Sequence, residues 1–211
     1  MIKIQLFIEN PIQTNTWVLI DDESNEAVII DLGGGYDKIK EYIDAHCAEL
    51  KFVLCTHGHF DHIMGIPDMQ MDNPDIPVYL SKKDENMTDK INEMLKQFGM
   101  SGNYASVKVA EFIDENTKHL SIGNNKIEVI ETPGHTQGGL CFKINNLLFS
   151  GDSLFRREIG RCDLEGGSYK ELIHSLKTKI ATLPDDTFVY PGHGPVTNIK
   201  DEKEFNYYLQ D

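Results

Sequence analysis

The segment Thr56-His57-Gly58-His59-Phe60-Asp61-His62 puts three histidines and a carboxylate within six residues, directly after the apolar run Phe52 to Cys55. So dense a set of imidazole and carboxylate groups at a strand end limits the chain to folds in which a strand delivers a loop to a metal site. In an extended segment, residues i and i+2 point to one side, so His57 and His59 can share an ion. His62 is out of that phase, and the chain has to turn for it to take part. Gly58 lets backbone approach without a side chain in the way.

Three further candidates obey the same rule. His135 lies in Thr132-Pro133-Gly134-His135-Thr136 after the strand-like run 126–131, Asp152 in Ser150-Gly151-Asp152 after 147–150, and His193 in Pro191-Gly192-His193-Gly194 after 188–190. The remaining histidines, His46, His119 and His174, stand in polar or charged surroundings and read as ordinary surface or core residues. Imidazole and carboxylate without thiolate suit Zn²⁺, Fe or Mn²⁺. The set His57, His59, Asp61, His62, His135, Asp152 and His193 exceeds what one tetrahedral ion takes. Two divalent ions sharing one carboxylate fit it, with zinc the first expectation and iron or manganese the alternatives.

The rest of the pattern predicts an α+β chain folded as a single domain over 1–211. Strands are expected at 2–8, 16–20, 27–31, 52–55, 78–80, 107–112, 126–131, 140–144, 147–150 and 188–190. Helices are expected over 36–47, over 84–98 with the stripe Met87, Ile91, Met94, Leu95 and Phe98, and over 169–180. The 84–98 stripe reads first as a buried face and second as part of an acyl pocket. Gly33-Gly34-Gly35 lacks the context of a phosphate loop and reads as a plain flexible turn. Two half-units, each ending in a helix, suggest two sheets packed face to face with helices outside.

Composition narrows the function classes. Lys and Arg number 20 against 34 Asp and Glu, a net −14, with no basic run to hold nucleic acid. No apolar stretch approaches the roughly 18 residues of a membrane span. Cys47, Cys55, Cys141 and Cys162 form no C-x-x-C pair, which suits a reduced, cytoplasmic setting. The N-terminal segment alternates like a strand and does not read as a signal peptide.

The motifs THGHFDH (56–62), PGHT (133–136), GDSLF (151–155) and YPGHGP (190–195) resemble those of the metallo-β-lactamase superfamily. The stretch GDSLFRREIGRCDLEGG (151–167) is similar to the short glyoxalase II-like, hydroxyacylglutathione hydrolase-like enzymes. The resemblance implies a four-layered αββα sandwich of two mixed sheets. It implies His57, His59 and His135 as ligands of a first metal, Asp61, His62 and His193 as ligands of a second, and Asp152 as the bridge. Full-length glyoxalase II carries a C-terminal helical region that helps hold glutathione. This sequence ends at Asp211, soon after YPGHGP, and offers only Arg156, Arg157 and Arg161 near the site. Arg161 is a candidate substrate contact or a structural residue.

The expected reaction is hydrolysis of small S-acyl thioesters, S-lactoylglutathione-like, by a metal-activated bridging hydroxide, with Asp61 and Asp152 as the catalytic carboxylates. The expected partner is the small-molecule thioester itself. A thiol with a pKa near 8.5 departs as thiolate without a general acid, which favours thioesters over amides. The main alternative is a mononuclear Fe(II) persulfide dioxygenase-like enzyme using His57, His135 and Asp152. A lactonase and a non-catalytic metal-binding module are further alternatives. A β-lactamase reading meets the objection that zinc enzymes with H-x-H-x-D place a cysteine where Asp152 stands.

Overall fold

The structure, a computed structural model, describes residues 1–210. The first half forms a six-stranded sheet from β1 (Ile2–Phe7), β2 (Thr16–Asp21), β3 (Glu26–Ile30), β4 (Glu49–Leu54), β5 (Val78–Leu80) and β6 (Glu111–Phe112), in that spatial order. The pairs β1–β2 and β2–β3 are antiparallel, and β3 through β6 run parallel. Its helices are α1 (Tyr36–Ala45), α2 (Phe60–Ile63), α3 (Ile66–Asp72) and α4 (Ile91–Gln97).

In the second half a small hairpin, β7 (Ser121–Ile122) and β8 (Asn125–Lys126), precedes β9 (Glu128–Glu131), β10 (Leu140–Ile144) and β11 (Leu147–Gly151). Another hairpin follows, β12 (Leu154–Phe155) and β13 (Glu158–Ile159). Then come α5 (Tyr169–Ser175), β14 (Phe188–Pro191), β15 (Thr197–Asn198) and α6 (Ile199–Phe205). The second sheet has the order β15-β14-β11-β10-β9, and only its β11–β14 pair is parallel. Both sheets are therefore mixed, as expected.

Side-chain alternation sets the layers. Trp17 and Leu19 of β2, Val28 and Ile30 of β3, and Phe52 and Leu54 of β4 face the second sheet, where they meet Leu140, Phe142, Ile144 and Phe149. Their sequence neighbours Val18, Ile20, Ala27, Ile29 and Val53 point the other way, onto Ile39 and Ile43 of α1 and Ile66 and Met69 of α3. On the far side, Cys141, Leu148 and Val189 pack against Leu172, Leu176 and Ile199. Three apolar interfaces thus separate four layers, helix, sheet, sheet, helix. Strands covered on both faces read as unbroken apolar runs, which is why β2 and β3 show so little alternation in sequence. No helix in the described residues is long and apolar enough to cross a membrane.

Several expected elements change extent for local reasons. The expected strand 107–112 shrinks to β6 because its partner β5 is three residues long. The run 126–131 is interrupted at Ile127, whose amide donates to the Leu120 carbonyl. The single helix expected over 84–98 is a 3₁₀ turn, Lys82–Met87, followed by α4. It breaks at Thr88, whose carbonyl accepts from the Val107 amide.

The glycine triplet is more than a flexible turn. A Cβ on Gly33 would lie 2.3 Å from the Asp61 carbonyl oxygen and 2.6 Å from Asn10 Nδ2, so bare backbone is needed where this loop meets α2. Gly33→Ala is therefore expected to destabilise the fold by about 1–3 kcal/mol, as overpacking does. Urea unfolding of the two proteins checks this, and an unchanged midpoint would show that the loop yields freely.

Candidate metal centre

Strand ends from both sheets build the centre. His57 follows β4, His135 follows β9, Asp152 follows β11, and His193 follows β14. His59 caps α2, and Asp61 and His62 occupy its first turn. That short helix is the turn His62 requires, and it brings the His62 ring to 4.1 Å from that of His57 while Asp61 and His62 meet His193.

The ligand-type atoms fall into three overlapping groups, of which His57, His62 and Asp152 form the middle one. His57, His59 and His135 form one, and Asp61, His62 and His193 another. Asp152 lies between them. Its Oδ1 is 3.3 Å from His62 Nε2, and its Oδ2 is 3.5 Å from His135 Nε2 and 3.6 Å from His193 Nε2. Asp61 Oδ2 is 3.5 Å from His62 Nε2 and 3.3 Å from His193 Nε2. All seven residues singled out in the sequence come together.

Outer contacts set which ring nitrogen faces inward. His135 Nδ1 is 2.7 Å from the Arg161 carbonyl, which can only accept, so Nδ1 carries the proton and Nε2 offers its lone pair. His62 Nδ1 donates to Asp31 Oδ2 at 2.8 Å. The Thr56 hydroxyl donates to the same Asp31 oxygen at 2.7 Å and lies 3.0 Å from His57 Nδ1. One carboxylate therefore orients one histidine of each group. Thr14 donates to Asp61 Oδ2 at 2.7 Å. Asp84 accepts from the Gly58 and Gly138 amides and from the Thr136 hydroxyl, fixing the loops that carry His57, His59 and His135. Asn15 Nδ2 and Trp17 Nε1 donate to the Pro191 carbonyl, which pins the His193 turn against β2. The sequence reading did not single out Thr14, Asn15, Asp31 or Asp84. Asp31 could have been flagged, because it follows an apolar strand as Asp152 does.

The electrostatics call for positive charge. Burial and then the surrounding histidines hold His57 well below the usual imidazole range, and His59 is held down to about 4 by burial and His135. Burial alone would raise Asp152 and Asp61, but His62 and its neighbours outweigh it and hold both below the usual carboxylate range. Burial likewise opposes charge on His62, yet Asp152, Asp61 and Asp31 together raise its pKa. The site thus joins His57 and His59, held neutral, to ionised carboxylates that favour charge on His62 and His193. His57 Nε2, His62 Nε2 and Asp152 Oδ1 are buried with no hydrogen-bond partner. Orphaned atoms of this kind are costly unless something else meets them. Divalent cations would engage all three, so the residues present fit a metal pair.

A family model described as the metallo-β-lactamase superfamily matches residues 10–193, which contain every one of these groups. The chain belongs to the metallo-β-lactamase superfamily. Among its relatives in the superfamily, "Probable metallo-hydrolase YqgX" of Bacillus subtilis is 38% identical over 94% of this chain and 93% of its own length. "Hydroxyacylglutathione hydrolase GloC" of Haemophilus influenzae is 32% identical over 98% of both. Of solved superfamily structures, the BLEG-1 B3 metallo-β-lactamase superposes with TM-score 0.88 at 36% identity, covering both chains fully. TTHA1623, in a di-iron-bound form, gives 0.86 at 30% identity over 97% of this chain and all of its own. Superfamily membership and the intact His/Asp cluster make this a metallo-hydrolase-type chain with a divalent-metal site.

A cavity of about 600 Å³ opens above the centre, between the 82–98 segment and the β12–β13 hairpin with its following loop. Arg161 lines it, but its guanidinium is paired with Asp163 at 2.8 Å through both Nε and an Nη. Arg156 and Arg157 are not among the lining residues, and Arg157 instead stands over the Phe205 ring. Lys83, also lining, is paired with Glu131. The 84–98 stripe divides between its two readings: Ile91 and Leu95 are buried core, whereas Met87, Met94 and Phe98 line the cavity.

Proposed function

We propose that this chain is a two-metal hydrolase of S-acyl thioesters. The observation that carries the reading is the position of Asp152, whose two carboxylate oxygens reach both histidine groups. His57, His59 and His135 would hold one ion, Asp61, His62 and His193 the other, and Asp152 both. When bound, such a pair supplies an activated water at neutral pH and a Lewis acid for a carbonyl oxygen. No serine, threonine, cysteine or tyrosine lines the cavity among the described residues, so the chain offers no side-chain hydroxyl or thiol nucleophile there, and water is the nucleophile. Asp61, held by Thr14, orients that water. The absence of a tyrosine or serine donor also suits a leaving group that departs without a proton, as a thiolate does. The GloC relative, whose name states hydroxyacylglutathione hydrolysis, supports the same chemistry. Zinc is the expected metal, and the di-iron form of TTHA1623 makes iron the first competitor.

The test is thioester hydrolysis by protein reconstituted with zinc or iron. Turnover that vanishes with a chelator and returns with metal supports the reading; no turnover with both ions bound overturns it. Glutathione itself is expected to be held loosely. Lys83 and Arg161 are already engaged by acids, Lys90 is the remaining lining cation among the described residues, and Glu93 and Glu165 also line the cavity. Replacing glutathione by a truncated thiol should leave kcat/KM within about threefold, because the thiol then adds little transition-state binding. A hundredfold loss would reveal a dedicated glutathione site.

A second reading is β-lactam hydrolysis, favoured by the name of the BLEG-1 structure. A chromogenic β-lactam assayed beside the thioester separates the two. On the thioester reading, the lactam is the poorer substrate by at least two orders of magnitude, about 2.7 kcal/mol.

A further inference from the structure

The cavity walls differ sharply from its floor. Its floor is polar, with His59, Asp61, His135, Asp152 and His193. Above it polar side chains such as Asn86, Lys90, Glu93 and Gln97 share the wall, but most of the lined area is apolar, supplied by Met87, Met94 and Phe98 from the 82–98 segment and by Phe155, Ile159 and Leu164 from the hairpin and the loop after it. A volume of about 600 Å³ falls in the range that encloses a drug-sized ligand. A lactoyl group would occupy only the end nearest the metals.

Phe98 carries the argument furthest. Its side chain is 43% exposed although it lines a concave site, and its ring meets Phe60 at 5.3 Å. Met87 and Met94 offer unbranched thioethers that adapt to varied apolar shapes. A ligand tail laid against these side chains removes their apolar area from water, while its carbonyl reaches the metal floor.

Resting on the thioester reading above, we propose that the cavity receives the acyl chain of the substrate, and that this chain is an extended apolar one of roughly six to ten carbons. Hydrolysis breaks the carbonyl–sulfur bond and adds water across it, giving a medium-chain carboxylate and a free thiol. Phe98 and Met94 then set chain-length preference.

The experiment uses the metal-loaded full chain and one simple thiol, N-acetylcysteamine, carrying acetyl, butyryl, hexanoyl or octanoyl groups. The expected kcat/KM rises by up to about fourfold per methylene until the cavity is filled. Phe98→Asp and Met94→Asp should flatten that rise. In parallel, equilibrium binding of octanoate and acetate to the loaded protein should show octanoate at least about tenfold tighter. A flat or falling series among thioesters that are cleaved overturns the chain-length inference and leaves the hydrolase reading intact. A rise that survives both substitutions overturns the assignment to this cavity. If no thioester is cleaved, the hydrolase reading fails and the acyl-chain proposal falls with it, whatever the octanoate-to-acetate ratio.

Discussion

Asp152→Ala is expected to lower metal-dependent turnover by roughly a thousandfold, the consequence of removing about 4 kcal/mol of buried charge compensation. Its carboxylate is the group that reaches both halves of the site, at 3.3 Å from His62 Nε2 on one oxygen and 3.5 Å from His135 Nε2 on the other. Without it, His62, His135 and His193 lose their shared counter-charge, and the residues that would hold two cations offer less negative charge to them. Asp61→Ala should be milder, because the histidines within 4 Å of the Asp61 carboxylate, His62 and His193, both belong to the second group. Metal analysis of the two variants separates the cases. Asp152→Ala should fall to one ion or fewer per chain, whereas Asp61→Ala should keep the first site. Equal residual rates with full occupancy in both would show that Asp152 is no bridge.

Asp31→Ala is the second large effect, at a residue that touches no substrate. Asp31 is 1% exposed, and its carboxylate accepts from the Thr56 amide, the Thr56 hydroxyl and His62 Nδ1. Alanine leaves these three buried donors without an acceptor, at about 1–3 kcal/mol for each that finds no substitute. It also frees the rings of His57 and His62, whose centroids stand 4.1 Å apart, one from each metal group. Loss of such an outer partner typically weakens metal binding ten- to a hundredfold. The expected outcome is a lower urea midpoint together with a higher dissociation constant for zinc. Asp31 has a backbone φ of 56°, a left-handed conformation that asparagine also tolerates, so Asp31→Asn tests the carboxylate without straining the chain. Asparagine restores one acceptor but turns an amide toward a donor, and it should recover stability better than metal affinity. Wild-type metal affinity in both variants would contradict the orienting role.

The seven ligand-type residues were legible because each is a residue type rarely placed at a strand end without purpose, and they occur in dense or glycine-flanked clusters. The four layers were legible from the order of elements, two runs of strands each closed by a helix, and from the family resemblance. The supports were not. Asp84 and Thr14 are ordinary turn residues in sequence, and with Asp31, which its strand-end position alone could have flagged, they become a set only when the end of β3, the 82–87 turn and the β1–β2 connection are brought together in space. α2 is four residues long, too short for helical periodicity to register. The stripe Met87 to Phe98 spans the break at Thr88, so Met87 lies at the end of a 3₁₀ turn while Ile91, Met94 and Leu95 belong to α4. Its division between core and cavity depends on which layer covers each side, and one strand of sequence does not carry that.

The central claim is two metal ions acting in one hydrolytic site, and metal content measured together with product on the same sample tests it most directly. Protein reconstituted with zinc or iron and freed of loosely bound metal should hold two ions per chain, release thiol and carboxylate from a thioester in equal amounts, and consume no oxygen. A single iron per chain with oxygen uptake on a persulfide and no thioester cleavage would contradict it, leaving His57, His135 and Asp152 as the working ligands.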